Sequence, residues 1–143
     1  MALCGVKFKA FPTSRQKLVL AQWLGACRFL YNAKVAENEY FRTFKAHSPA
    51  LVGEAVPVDQ TYAQFKSELT PWLAEVPSQL LRNAAVRWYQ AYQRFFQGLS
   101  GRPVRKRKGG RDSLWLTSEL FQLEEARDHE PRFAVVVDVD RGV

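Results

Sequence analysis

The chain has 143 residues, 47% of them hydrophobic and 13% aromatic, enough for one domain with a real core and too few for two. Its net charge of +7 and isoelectric point near 9.7 suggest a polyanionic partner. No apolar run approaches the roughly 18 residues a membrane span needs, and Cys4 and Cys27 stand apart with no CxxC or Cys/His cluster, which argues against structural zinc.

The charge is unevenly distributed. Residues 1–111 hold 18 Lys or Arg against 6 Asp or Glu, and residues 112–143 hold 3 against 8. The cationic part ends at Arg111. Two isolated cysteines without a secretory signal fit a reducing compartment, so a soluble, cytoplasmic protein is expected.

Val6 to Phe11 alternates weakly and predicts a short strand, ended by Pro12. Thr13 with Gln16 makes a capping-box pattern ahead of a first helix over about Ser14 to Ala46. Leu20, Leu24, Cys27, Tyr31 and Val35 form its predicted buried stripe, and Lys17, Ala21, Gly25, Arg28 and Asn32 a second one. Glycine costs a helix about 1 kcal/mol relative to alanine. Gly25 therefore hints at close approach, most simply a helix crossing with Arg28 on a local carboxylate.

Ser48 to Asp59 reads as a loop, followed by a short helix with Tyr62, Phe65 and Leu69 inward, and Thr70-Pro71 starts another. After Val76-Pro77-Ser78 comes a long amphipathic helix, with Leu81, Ala84, Ala85, Trp88, Tyr92, Phe95 and Leu99 on one face. Gln79, Arg82, Asn83, Gln90, Arg94 and Gln97 make the other. No acidic residue lies between Glu75 and Asp112. Solvated helix faces usually mix signs, so an acid-free polar face of this length points to an anionic partner. Beyond Asp112, Leu114 to Leu123 and Arg132 to Val139 read as strands around a polar turn.

The densest chemical signal is Arg102, Arg105, Lys106, Arg107, Lys108 and Arg111, interleaved with Gly101, Gly109 and Gly110. Arginine matches phosphate with paired donors. Neutralising about six phosphates would give a log–log salt slope near −5 on duplex DNA. The alternative is a solvated loop. Most aromatics of the long helix fall at core spacing, and Tyr89 is the flank position on which a base could stack. His47 and His129 receive no role. Asp138 and Asp140 share one side of the last strand, yet two carboxylates fall short of a two-metal site, so no catalytic residue, metal or cofactor is expected.

The order of motifs resembles a known family. Strand–Pro12-Thr13–helix, Gly25-x-Cys27-Arg28-Phe29-x-Tyr31-Asn32, Val76-Pro77-Ser78-Gln79, Ala91-x-x-x-Phe95-Phe96-x-Gly98, Gly101-x-Pro103 and Arg111-Asp112-Ser113 resemble the amino-terminal region of the transposon-encoded TnpB (OrfB) proteins. The resemblance implies RNA-guided DNA nucleases whose amino-terminal half, designated a helix-turn-helix domain, combines a β-barrel wedge with an inserted helical recognition domain. An α+β fold follows as the expectation: residues 6–12 and 112–139 in a small wedge-like barrel, complete or incomplete, 13–100 as a helical insertion and 101–111 as a basic loop. It also implies DNA and guide-type RNA as partners. Arg28, Asn32, Gln79 and the Arg102–Arg111 loop carry over as nucleic-acid contacts, with Arg82 and Arg94 added from the polar helix face. The segment Pro103-Val104-Arg105-Lys106-Arg107-Lys108 departs from the family, which more often has an aromatic after the proline. The end, Val137 to Val143, faintly resembles the first nuclease motif, with Asp140 at the first acid. The chain thus reads as a non-enzymatic nucleic-acid-binding module for transposition, truncated before the nuclease half. The alternatives are a stand-alone DNA-binding regulator and a non-functional remnant.

Overall fold

A computed structural model describes residues 11–48, 50, 56–109 and 113–116, and the backbone of 121–125 and 133–137. Two helices carry its core, α1 (Ser14–His47) and α2 (Ser78–Phe96). Thr13 starts α1 through the expected capping box: its hydroxyl accepts from the Gln16 amide at 3.2 Å, and its own amide donates to the Gln16 side chain at 2.9 Å. Lys45 lies in the last turn, where its positive charge offsets the helix dipole. Pro77 precedes α2. At the other end Gly98 takes a left-handed φ of 75°, the Leu99 amide donates to Arg94 and the Gly98 amide to Phe95, both at 3.0 Å. This is a Schellman stop that turns the chain back along the helices.

Pairings between the helices advance in the same direction. Cys27 meets Leu80, Lys34 meets Trp88 and Asn38 meets Tyr92, so α1 and α2 run parallel. Parallel neighbours need a crossover, and residues 48–77 provide it, with 3₁₀ turns at Ala63–Phe65 and Pro71–Glu75. One core cluster joins Trp23, Ala26 and Leu30 to Leu80, Leu81, Ala84 and Ala85, capped by Leu73 and Val76 of the crossover. A second joins Tyr31 and Val35 to Trp88 and Tyr92. The predicted stripe of α1 is thus displaced: Leu20, Leu24 and Cys27 are half-buried, and Trp23, Ala26, Leu30 and Lys34 take the centre. The crossover covers a flank that periodicity alone leaves to solvent.

Lys34, only 1% exposed, lies 4.8 Å from the Trp88 ring centre and donates to Asp59 at 2.8 Å and to Glu37 at 3.5 Å. Burial pushes the Asp59 carboxyl up, but hydrogen bonds from Lys34 and from the hydroxyl and amide of Thr61 outweigh it and hold the carboxyl at about 2. Asp59 of the crossover is therefore held to α1 by an ion pair.

Several expectations are corrected. The described architecture is helical, not an α+β fold with a wedge-like barrel. Its sheet, among the described residues, is one antiparallel pair, β1 (Phe121–Glu125) with β2 (Phe133–Val137), in which Leu123 is paired in register with Val135. Two five-residue strands form a hairpin and cannot close a barrel. The predicted strand over Val6 to Phe11 lies outside the described residues except for Phe11, which is exposed and not in a strand. Leu69 and Leu99 face solvent, since 3₁₀ turns break the helical period around the first and α2 stops before the second. A Cβ at Gly25 would meet nothing within 4 Å, so among the described residues no helix crosses there; the glycine borders an open depression beside Trp72 and Glu75.

Candidate nucleic-acid interface

After the Schellman stop, the chain lies back along the seam between the helices. Arg102 places its guanidinium 4.7 Å from the Phe95 ring centre, at the end of α2. Arg105 reaches Glu39 of α1 at 3.3 Å. Lys106 is gripped through its backbone: its amide donates to Asn32 Oδ1 at 2.7 Å and its carbonyl accepts from Asn32 Nδ2 at 2.9 Å. One asparagine thus acts like a neighbouring strand. The Lys106 ammonium rests 4.3 Å from the Tyr31 ring centre.

Two further grips follow. Arg87 donates to the Ser113 carbonyl at 3.0 Å and hydroxyl at 2.7 Å, and Asn83 to the Trp115 carbonyl at 2.9 Å. Arg102, Arg105, Lys106, Arg107 and Lys108 are all exposed, and Gly109 turns the run with a φ of 85°. The basic segment is therefore a ridge tied to both helices.

The expected site residues divide. Asn32 belongs to the ridge as its clamp, with both amide groups engaged by Lys106. Arg94 is exposed on the last turn of α2, where the ridge begins. Arg28 is half-buried under the ridge, lining the same small cavity as Arg87 and Lys106. At 100° per residue, Arg82 stands about 140° around α2 from Arg87, away from the ridge, and half-buried Gln79 lies in the first turn. Asn83, expected on the polar face, is 7% exposed because it binds Trp115. Tyr89 is half-buried against the second cluster. Arg111, His129, Asp138 and Asp140 lie outside the described residues. Arg87 escapes sequence reading: nothing in its neighbourhood signals a partner 26 positions ahead.

The cavity beneath the ridge is lined by Cys27, Arg28, Tyr31, Asn83, Arg87 and Lys106, among others, and holds about 30 Å³. That is roughly the room of one or two waters, so it cannot enclose a nucleotide. Cys27 is a free thiol pushed up to about 11 by burial, against the opposing pull of the Arg87 and Lys106 charges. Among the described residues, no group of three His, Cys, Asp or Glu could hold a metal, and no helix is long and apolar enough to cross a membrane.

Residues 1–43 match the family model of the helix-turn-helix domain of OrfB proteins of the IS605 group. InsQ of Escherichia coli (strain K12), named a candidate RNA-guided DNA endonuclease, is 28% identical over 110 residues, covering 76% of this chain and 26% of that protein. The resemblance to the amino-terminal region of the TnpB (OrfB) family is borne out. The chain spans about a quarter of the length of this curated relative. No solved structure matches. Over its described part, the segment that matches the helix-turn-helix model is the continuous helix α1 and its cap.

Proposed function

We propose that this chain is a nucleic-acid-binding module of a transposon-associated, RNA-guided system, and that the ridge from Arg102 to Lys108 tracks the phosphate backbone. The observation that carries this reading is the Asn32–Lys106 clamp beneath a run of exposed cations. A clamped run presents its charges without first being ordered, which favours backbone contact. The free Cys27 thiol fits a cytoplasmic setting. DNA and a guide-type RNA both offer the required phosphates, and the InsQ match brings both into view.

Filter binding against duplex DNA, structured RNA and single strands at two salt concentrations tests it. Replacing Arg105, Arg107 and Lys108 with serine removes three charges. The expected result is a shallower log–log salt slope, by about 0.9 per lost phosphate contact on duplex DNA. Unchanged affinity and slope would defeat the proposal. Arg82, away from the ridge, serves as the comparison: its replacement with serine moves ridge binding less than loss of Arg107.

A further inference from the structure

The cavity beneath the ridge has cations on three of its walls, and an exposed tryptophan among its lining residues. Arg28 comes from α1, Arg87 from α2 and Lys106 from the ridge, while Ser113 and Asn83 add polar groups. Trp115 also lines the notch and is 51% exposed. Scattered exposed apolar side chains need no explanation. Trp115 differs in two ways. Its carbonyl is held by buried Asn83, which fixes the backbone beneath the ring. It also stands where cations from three elements converge, with Ser113 two residues before it pinned twice by Arg87.

A volume of about 30 Å³ admits no base, but phosphate oxygens can seat at its mouth. Arginine suits such oxygens, and an indole offers every base a flat face. We infer that the notch is a single-nucleotide site: a backbone phosphate docks toward Arg28, Arg87 and Lys106, and its unpaired base stacks on Trp115. Paired bases hide their faces inside the stack, so the site selects single-stranded segments, whether DNA or RNA. The inference rests on the proposed function and adds to it the kind of nucleotide recognised.

The test compares the whole chain with Trp115→Ala and Trp115→Phe, using oligo-dT, oligo-rU, strands of the same lengths lacking bases, and a duplex. Trp115→Ala should weaken binding to intact single strands about 5- to 100-fold, the usual consequence of losing one base–aromatic stack. It should leave abasic strands and duplex within about twofold, since phosphates carry those. Trp115→Phe should retain most of the affinity while losing the part of tryptophan-fluorescence quenching that binding produces. The dT and rU arms separate the DNA and RNA sources. Equal affinity of wild type and Trp115→Ala for intact strands overturns the inference, as does a wild type that binds abasic strands as tightly as intact ones. Either result with a steep salt slope leaves phosphate tracking standing, whereas a salt-insensitive wild type removes both readings.

Discussion

Two segments bridge α1 and α2, and they are held in opposite ways. The crossover attaches through its own side chains: Asp59 binds Lys34, and Leu73 and Val76 enter the core. The ridge is attached at its backbone by side chains of the helices, Asn32, Asn83 and Arg87. A segment that anchors by its own side chains has spent them on the fold. One gripped by its backbone can leave them exposed, and here the exposed side chains are cations, even where Arg102, Arg105 and Lys106 also touch Phe95, Glu39 and Tyr31. The difference separates scaffold from interface more clearly than composition does.

The most severe way to break this contrast is to empty the crossover's anchor. Leu73 is 0% exposed, and Leu73→Ala should lower unfolding stability by about 2–5 kcal/mol in urea denaturation. Leu114, half-buried in the ridge's continuation, should lose only about 1 kcal/mol on the same change. Equal losses would mean that the ridge is anchored by apolar burial after all.

The ion pair comes next, and its two halves are unequal. Asp59→Ala leaves the ammonium of Lys34, 1% exposed, without its 2.8 Å partner, whereas Lys34→Met leaves a carboxylate that is 44% exposed and can be hydrated. The first change should therefore destabilise more, by about 2 kcal/mol once Asp59's exposure is allowed for. The acid dependence follows from the same pair. Asp59 in the folded chain titrates at about 2, below its ordinary 3.8, so its stabilisation is full above that ordinary value. It is lost as pH falls from about 4 toward 2. Thermal melts across that window should decline less steeply in Asp59→Asn than in wild type.

How much of this was legible in the sequence follows from which interactions are local. The capping box at Thr13, the extent of α1 and the start of α2 were readable because caps and apolar period act within a few residues, whereas α2 stops short of Leu99, which that period had placed on its buried face. Lys34 at the centre of the core was not, because its partner Asp59 is 25 positions away and lies in what reads as a loop. The cations of the ridge were visible as composition, but their support was not. Asn32 looked like a ligand-facing amide, and its partner is a backbone 74 positions ahead. The barrel expectation came from family resemblance, and the described strands form only a hairpin.

A milder break removes one grip without touching charge. Asn32→Ala deletes both hydrogen bonds to Lys106, each worth about 1 kcal/mol. If the clamp's role is to hold the ridge ready, affinity for nucleic acid should fall about tenfold while the salt slope stays at the wild-type value, since no cation has gone. A fall in slope would show instead that the loosened ridge has withdrawn phosphate contacts.

The smallest effect sharpens the comparison at a chemistry both segments share, the ion pair. Arg105 and Glu39 meet at 3.3 Å with both side chains largely exposed, 62% and 49%. Such a pair contributes about 0–1 kcal/mol, so Glu39→Gln should leave stability within about 0.5 kcal/mol. Its influence on binding should have the opposite sign to that of Asp59 on folding. Glu39 competes with phosphate for Arg105, and replacing it releases a cation into the ridge. Affinity should rise two- to fivefold at low salt, and the gain should fade toward 1 M salt as the screening length shrinks to about 3 Å. Weaker binding by Glu39→Gln would mean that Glu39 aims Arg105 at its phosphate, making this exposed pair part of the interface rather than its competitor.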